Sequence, residues 1–465
     1  MSFVGLDPED IPKKIIYKIS VDGSNLGSRN CELVALTPMN LPTNIINPCS
    51  YHSIFPLMLY EGKETRKHLK QIISEVAEEM DALEMDATVT TTHNNHHKCT
   101  CVWKCCADFF ALVKIMRPEK DEMLSNGKKA DSCTCSLCGE KRATKKGGWS
   151  ENVTKNVWES IPTTRLDSCL FKQMGVKDFI FCILHMKVRV MGTLLKYIVR
   201  ECEQKKTASQ TAKAMREIVR TFNITLKGET VKSTGKKNTK AAKISAMQGG
   251  QVDKILDSIR ANSKAVNERT EEESHLAAKW DAVWTATKIE TDKDKRLLPK
   301  YKSYFTQFTQ LYNLLNSKQD VTQQQLETYQ QVVTKLAAEW TTHHGLKSVT
   351  PYLHILFKHS YAYLKEYKSL RMWSQEAFEA SHKRHKQYYA KTNFGGGKNG
   401  DPSSAFLQVL QKLYRRQHLE QKIVMDKSET RSAAQAQARM HKYRARKAKR
   451  TRAQAERRAR KKKNL

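Results

Sequence analysis

Three carboxylates and one set of soft ligands are the residues of this chain whose types and settings could do chemistry. Asp22 ends the alternating segment Ile15-Ile16-Tyr17-Lys18-Ile19-Ser20-Val21. Asp108 ends Cys101-Val102-Trp103-Lys104-Cys105-Cys106-Ala107, and Glu379 follows Trp373-Ser374-Gln375-Glu376-Ala377-Phe378 in a helical stretch. A carboxylate at the end of a strand projects past the edge of its sheet. Two such strands side by side, with a helix packed across them, bring three acids close enough to share Mg²⁺ or Mn²⁺, hard ions that prefer carboxylate and water oxygens. Two ions held roughly 3.5–4 Å apart activate water or a 3′-hydroxyl and stabilise the leaving oxygen of a phosphodiester. The second set is softer. Cys135-Ser136-Leu137-Cys138 is a C-x₂-C knuckle, and His354 and His359 offer two imidazoles far downstream, which together make the four ligands of a tetrahedral structural Zn²⁺.

Each residue also has a plainer use. Asp22-Gly23 is ordinary turn chemistry, Asp108 stands where a helix N-cap is wanted, and Glu376 competes with Glu379 for the catalytic role. Cys133 is an alternative to Cys135, and His343 or His344 to one of the histidines. Cys99, Cys101, Cys105 and Cys106, with His93, His96 and His97, form a rival cluster. Their alternation suits a strand in which small thiols pack in the core.

The elements that must position these groups are legible as patterns. Strands are expected over Lys14–Val21, Cys31–Leu36 and Ser53–Tyr60, with turns at Asp22–Asn25 and Pro38–Pro48. Leu69, Ile72, Ile73, Val76, Met80 and Leu83 recur at three and four, which predicts a helix over Glu64–Met85. A fourth strand then ends at Asp108, and a helix over Phe109–Met116 stops before Pro118. Beyond it the pattern is helical. Helices are predicted over Phe179–Cys202, Thr207–Phe222, Val252–Val266, Glu271–Thr287, Lys300–Leu315, Thr322–Thr342, Pro351–Tyr367, Ser374–Thr392 and Ser404–Arg446. Lys227–Gln251 reads as a linker, and a glycine-rich break runs from Asn393 to Gly400.

Charge narrows the partner. The chain of 465 residues carries 81 Lys and Arg against 48 Asp and Glu, a net +33, while 39% hydrophobic residues allow a sizeable core. Such an excess predicts a polyanion. Between Arg431 and Leu465 there are 15 Lys and Arg against one acid, Glu456, so the tail supplies +14 and the rest of the chain is basic too. The stretch from Lys442 to Lys463 reads as a nuclear localisation signal or a nucleic-acid arm. No apolar run reaches the roughly 18 residues of a spanning helix, and the first residues lack a signal-peptide pattern. A soluble intracellular protein is expected, with no membrane partner, in which the 12 cysteines are thiols or metal ligands rather than a disulfide framework.

The grouping Tyr352-Leu353-His354, His359, Lys368-Ser369-Leu370, Trp373 and Glu379 resembles the end of the catalytic core of the V(D)J recombinase's catalytic subunit and of the related Transib-type transposases. The upstream Cys135 and Cys138, the segment Cys106-Ala107-Asp108-Phe109-Phe110-Ala111-Leu112 and the segment Ile19-Ser20-Val21-Asp22-Gly23-Ser24 fit the same family, as does Leu184-His185. The chain is also similar to recombinase-like proteins derived from transposable elements. The resemblance runs from about Lys14 to Gly397 and implies an α/β plus α protein. Its ribonuclease H-like catalytic core would span 12–118 and be completed by a catalytic helix at 371–397. A helical, zinc-bearing insertion over 119–370 would interrupt it, and a basic helix and tail would follow over 398–465. Asp22, Asp108 and Glu379 would hold two Mg²⁺ or Mn²⁺ ions and Cys135, Cys138, His354 and His359 one Zn²⁺. The implied activity is that of a DDE-type DNA transposase or endonuclease acting on double-stranded DNA in the nucleus, as a homodimer because paired ends need paired active sites. The family's amino-terminal DNA-binding region has no counterpart in this sequence, which leaves open its supply by a DNA-binding partner subunit. The rival expectations are a catalytically inactive transposase-derived DNA- or chromatin-binding protein and an unrelated RNA-binding zinc protein.

Overall fold

The computed structural model describes residues 12–26, 29–41, 47–62, 65–85, 87–90, 96–118, 134–142, 149, 157–204, 217–224, 226–227, 243–244, 247–291, 298–390 and 407–416. His93, Cys133, most of the 227–251 linker, the glycine break at 393–400 and the basic tail lie outside the described residues.

A mixed sheet forms the base of the molecule. Strands β1 (Lys14–Leu26), β2 (Arg29–Pro38) and β3 (Phe55–Glu61) form an antiparallel meander, and β5 (His96–Ala107) runs parallel to β1 on its other side. A short strand, β4 (Ala87–Thr90), pairs with the first residues of β5, and β6 (Phe179–Phe181) runs parallel to its last residues. The order is β3-β2-β1-β5-β4, with β6 also on β5. Outside this sheet β7 (Leu226–Lys227) and β8 (Lys243–Ile244) form a two-stranded ladder.

Alternation along β1 sorts its side chains between two buried faces. Ile15, Tyr17, Ile19 and Val21 face helices α1 (Arg66–Met85) and α2 (Phe109–Met116), whose Leu69, Ile72, Ile73, Val76, Met80, Leu112 and Ile115 are buried as the spacing predicts. On the opposite face Leu33 and Ala35 of β2 meet Ala377 and Phe378. Those two residues belong to a late helix of the chain, which covers that side of the sheet.

Two expectations are corrected here. Asp22–Asn25 is not a turn: β1 continues to Leu26, and these four residues pair with Leu33–Asn30 of β2. Ladder hydrogen bonds outweigh the turn preference of Asp-Gly, and Gly23 has a strand role, since a Cβ there would lie 2.8 Å from Oε1 of the buried Glu32. Likewise the predicted helix over Phe179–Cys202 begins with a strand. A parallel strand buried on both faces is a continuous apolar run, which a short stretch of sequence does not distinguish from a buried helix. The helix proper, α3, spans Ile183–Gln204.

The remaining helices are α4 (Gly249–Ser263), α5 (Glu271–Thr291), α6 (Leu298–Leu315), α7 (Gln323–His344), α8 (Pro351–Tyr367) and α9 (Glu376–Tyr389). Residues 407–416 are helical as well. Helix α9 is the one that packs on β1. Helix α3 packs against α4, α6 and the first turn of α8, and its buried residues join those of the sheet in one continuous core. Trp280, Trp284 and Phe305 cluster between α5 and α6, and Tyr304, Trp340 and His344 between α6 and α7. His343 and His344 are part of that aromatic layer. Among the described residues no helix is long and apolar enough to cross a membrane.

Candidate metal centres

The soft-ligand centre is built by a local departure from the α-helix. Residues turn about 100° each in an α-helix, so side chains five apart point about 140° from one another. His354 and His359 nevertheless face the same point, because residues Ile355–His359 form a π-turn in which the Ser360 N–H reaches back to the Ile355 carbonyl. Their Nε2 atoms lie 3.2 Å apart. Cys135 Sγ is 3.4 Å from His359 Nε2 and Cys138 Sγ is 3.4 Å from His354 Nε2. A tetrahedral zinc with Zn–S of about 2.3 Å and Zn–N of about 2.0–2.1 Å has S···N edges of about 3.5 Å and N···N edges of about 3.3 Å. The four atoms lie mutually within 4.8 Å and are a donor set able to bind zinc.

The knuckle is also held by contacts of its own backbone. Arg117 Nε and Nη2 donate to the carbonyls of Ser136 and Leu137, and Cys135 N donates to the Glu140 carbonyl. Gly139 closes the turn at φ +73°, a left-handed conformation that glycine adopts without strain. Lys358 Nζ, from the π-turn, pairs with Glu140 at 2.8 Å. The imidazoles are oriented by indoles: Trp149 stacks on His354 with centroids 3.8 Å apart, and Trp158 meets His359 edge-on at 4.1 Å. Neither Nδ1 has a hydrogen-bond partner among the described residues. Burial lowers the pKa of His359 to about 4, so its ring is neutral and ready to ligate at physiological pH. The hydrogen bond from Cys135 favours a thiolate at Cys138, while burial keeps the proton on Cys135.

The hard-ligand centre sits where the parallel pairing of two neighbouring strands ends. Parallel pairing of β1 with β5 ends at Val21 opposite Ala107, so Asp22 and Asp108 are the next residue on each strand. Glu379 comes from the first turn of α9. Asp22, Glu379 and His185 each offer a ligand atom within 4.8 Å of the others, and His185 Nε2 lies 3.5 Å from Glu379 Oε1. Asp108 stands beside this group without joining it: its Oδ1 caps α2 by accepting from Ala111 N at 2.6 Å. Its charge still reaches Asp22. Burial, and then the neighbouring Glu379 and Asp108 carboxylates, push the Asp22 carboxyl well above the usual range, against the pull of His185. Hydrogen bonding to His185 holds Glu379 below it. Burial disfavours the His185 imidazolium, but the Cys182 sulfur, Glu379 and Asp22 outweigh that and raise its pKa. The imidazole partly balances the two converging acids, Asp22 and Glu379.

Several positioning groups carry weak sequence signals or none. Gln375 is fully buried, and its Nε2 donates to the carbonyls of Val21 at 3.3 Å and Cys106 at 3.0 Å, just before Asp22 and Asp108. Lys18, buried in the middle of β1, donates to the carbonyls of Met372 and Ser374 on the approach to α9. A lysine inside an otherwise apolar alternation is the one legible sign of this arrangement. Glu376, the alternative to Glu379, faces elsewhere: it pairs at 3.0 Å with Lys187, whose buried Nζ also holds Asp253 at 2.6 Å. Cys99, Cys101, Cys105 and Cys106 are buried along β5, in no disulfide, and belong to neither ligand group.

Gln375→Leu keeps the volume and removes both carbonyl contacts. It is expected to cost about 1–3 kcal/mol in urea denaturation and to weaken Mn²⁺ binding several-fold by loosening α9. Unchanged stability together with unchanged Mn²⁺ affinity would refute this latch.

Comparison with protein-family models and with curated proteins finds no match for this chain.

Proposed function

We propose that this chain cleaves DNA and transfers strands as a metal-dependent recombinase or transposase, on a ribonuclease H-like core joined to a zinc-stapled helical insertion. The observation that carries the reading is the meeting of Asp22, His185 and Glu379 beside Asp108, where the parallel pairing of β1 and β5 ends. The meander β3-β2-β1 followed by parallel β5 and β6 supports the core assignment. A net charge of +33 supports a polynucleotide substrate.

The residues present fit hard cations: desolvation and neighbouring carboxylates raise the pKa of Asp22, and an imidazole lies against the acids. Asp22 and Glu379 supply facing oxygens, with Asp108 supplying another from the next strand. Bound there, a pair of Mg²⁺ or Mn²⁺ ions supplies activation of water or a 3′-hydroxyl and neutralises charge on the leaving oxygen. His185 orients Glu379, and Gln375 and Lys18 fix the helix that carries it. Lys and Arg side chains bind phosphates in a salt-dependent manner with little sequence preference. At the second centre Cys135, Cys138, His354 and His359 hold Zn²⁺ as a structural staple. The basic tail serves as a nuclear-targeting or DNA-binding arm, and the active form is a homodimer.

A second reading, a catalytically inactive transposase-derived nuclear DNA- or chromatin-binding protein, is favoured by one observation. Asp108 commits an oxygen to a helix cap and stands outside the mutually facing ligands. Incubation with supercoiled plasmid and Mg²⁺ or Mn²⁺ separates the two. Nicking that disappears in Asp22→Ala, Asp108→Ala and Glu379→Ala supports the enzyme. Plasmid that is bound but never nicked sinks it and leaves the binding protein.

A further inference from the structure

Helix α9 has two working flanks, and only one belongs to the acid centre. Arg384 lies five residues beyond Glu379, about 7.5 Å along the helix and about 140° around it, so it faces away from Asp22 and His185. It borders a small, partly open cleft with Tyr51, His52, His385, Leu413 and Arg416. The cleft lies where α9, the 51–53 turn and the 407–416 helix converge. Its described lining contains two arginines and two histidines and no carboxylate.

Both guanidinium groups are held in place. Arg384 lies over the Tyr51 ring with its central carbon 3.7 Å from the centroid, and donates to the Tyr51 hydroxyl. Arg416 Nη1 donates to the Tyr388 hydroxyl at 3.1 Å. The 407–416 helix that delivers Arg416 is seated by the buried Val409 and Leu413 and by a hydrogen bond from the Tyr414 hydroxyl to the Pro56 carbonyl. Stacking and tyrosine contacts reduce the rotamer freedom an arginine loses on binding, and its planar fork matches the oxygens of a phosphate. Burial lowers the pKa of His385 to about 3, so its ring is neutral at physiological pH.

We propose that this cleft binds a phosphodiester of a nucleic-acid backbone, at a contact separate from the bond presented to the acid centre. The choice of polymer rests on the DNA-processing reading. It is supported by the acid centre on the same helix and by the strongly basic sequence that follows Arg416. The pocket anchors the duplex while the far flank of α9 addresses the scissile phosphate.

The test is fluorescence anisotropy with a labelled DNA duplex in EDTA, where no cleavage is needed for a signal. Arg384→Gln/Arg416→Gln should weaken binding roughly 10-fold at moderate salt and lower the slope of log K against log salt by about 1–2. Lys302→Gln/Lys318→Gln removes the same charge from exposed sites on the helical layer and should change affinity far less. Equal losses from the two double variants, or no loss from the arginine pair, would overturn the pocket. DNA that binds through the arginines but is never nicked with Mg²⁺ or Mn²⁺ would instead defeat the enzymatic reading and leave the pocket standing.

Discussion

In EDTA at neutral pH, Asp22→Asn is expected to melt at a higher temperature than the parent chain, and with Mg²⁺ or Mn²⁺ the proposed nicking of DNA is expected to fall roughly 10³-fold. The two effects have one origin. Asp22 is half-buried beside Glu379 and Asp108, and desolvation together with those carboxylates holds its carboxyl well above its ordinary pKa. A group whose folded pKa is raised contributes its full stability below the unfolded value and loses it as the pH climbs through the folded value. Ionised Asp22 is therefore a liability of the metal-free protein at neutral pH. Asparagine keeps an oxygen for the Gly23 N–H, which Asp22 Oδ1 now accepts at 2.9 Å, and removes the charge. The gap in melting temperature should close in acid, where Asp22 is protonated and resembles its replacement. Added Mn²⁺ should stabilise the parent chain and leave the variant nearly unmoved. A variant less stable than the parent at neutral pH, and equally stabilised by Mn²⁺, would show that Asp22 is a structural acid.

Cys138→Ser is expected to abolish binding of one zinc per chain, read by native mass spectrometry, and to lower the melting temperature by at least about 10 °C. Structural zinc contributes several kcal/mol or more to folding, and each kcal/mol is worth about 2–4 °C in a domain of this size. The loss should be felt beyond the knuckle. The four ligands join residues 135–138 to a π-turn more than two hundred positions later, and Tyr352, two residues before His354, accepts through its hydroxyl from Phe109 N at 3.3 Å. Phe109 begins α2, the helix that Asp108 caps. Zinc loss should therefore weaken Mn²⁺ binding at the acid centre as well. A metal-free knuckle variant that melts like the parent would remove the structural staple from the proposal.

How much of this was readable in advance depends on the range of the interaction concerned. The alternation of Ile15, Tyr17, Ile19 and Val21, the three-four spacing of Leu69 to Met80 and the N-cap at Asp108 are local, and they describe the observed β1, α1 and α2. Glu376 and Glu379 look alike in sequence and part company only because Lys187 faces one and His185 the other. His185 itself reads as a core histidine in an apolar segment, yet its ring meets Glu379. The strand at Phe179–Phe181 was hidden because burial on both faces erases alternation.

Amino-acid order alone determined which side chains are available and what they can do: acids for hard ions, a thiol pair with imidazoles for a soft one, and cations in excess for a polyanion. It also determined the elements whose periodicity is short, because a strand or helix needs only its own neighbours to choose a face. Tertiary structure decided which of those side chains meet. The i,i+5 histidines converge because the helix is locally unwound into a π-turn, and the acids converge because Gln375 ties α9 to two strand ends distant in sequence. Such meetings depend on burial and on hydrogen bonds between distant segments, for which a linear pattern carries no signal.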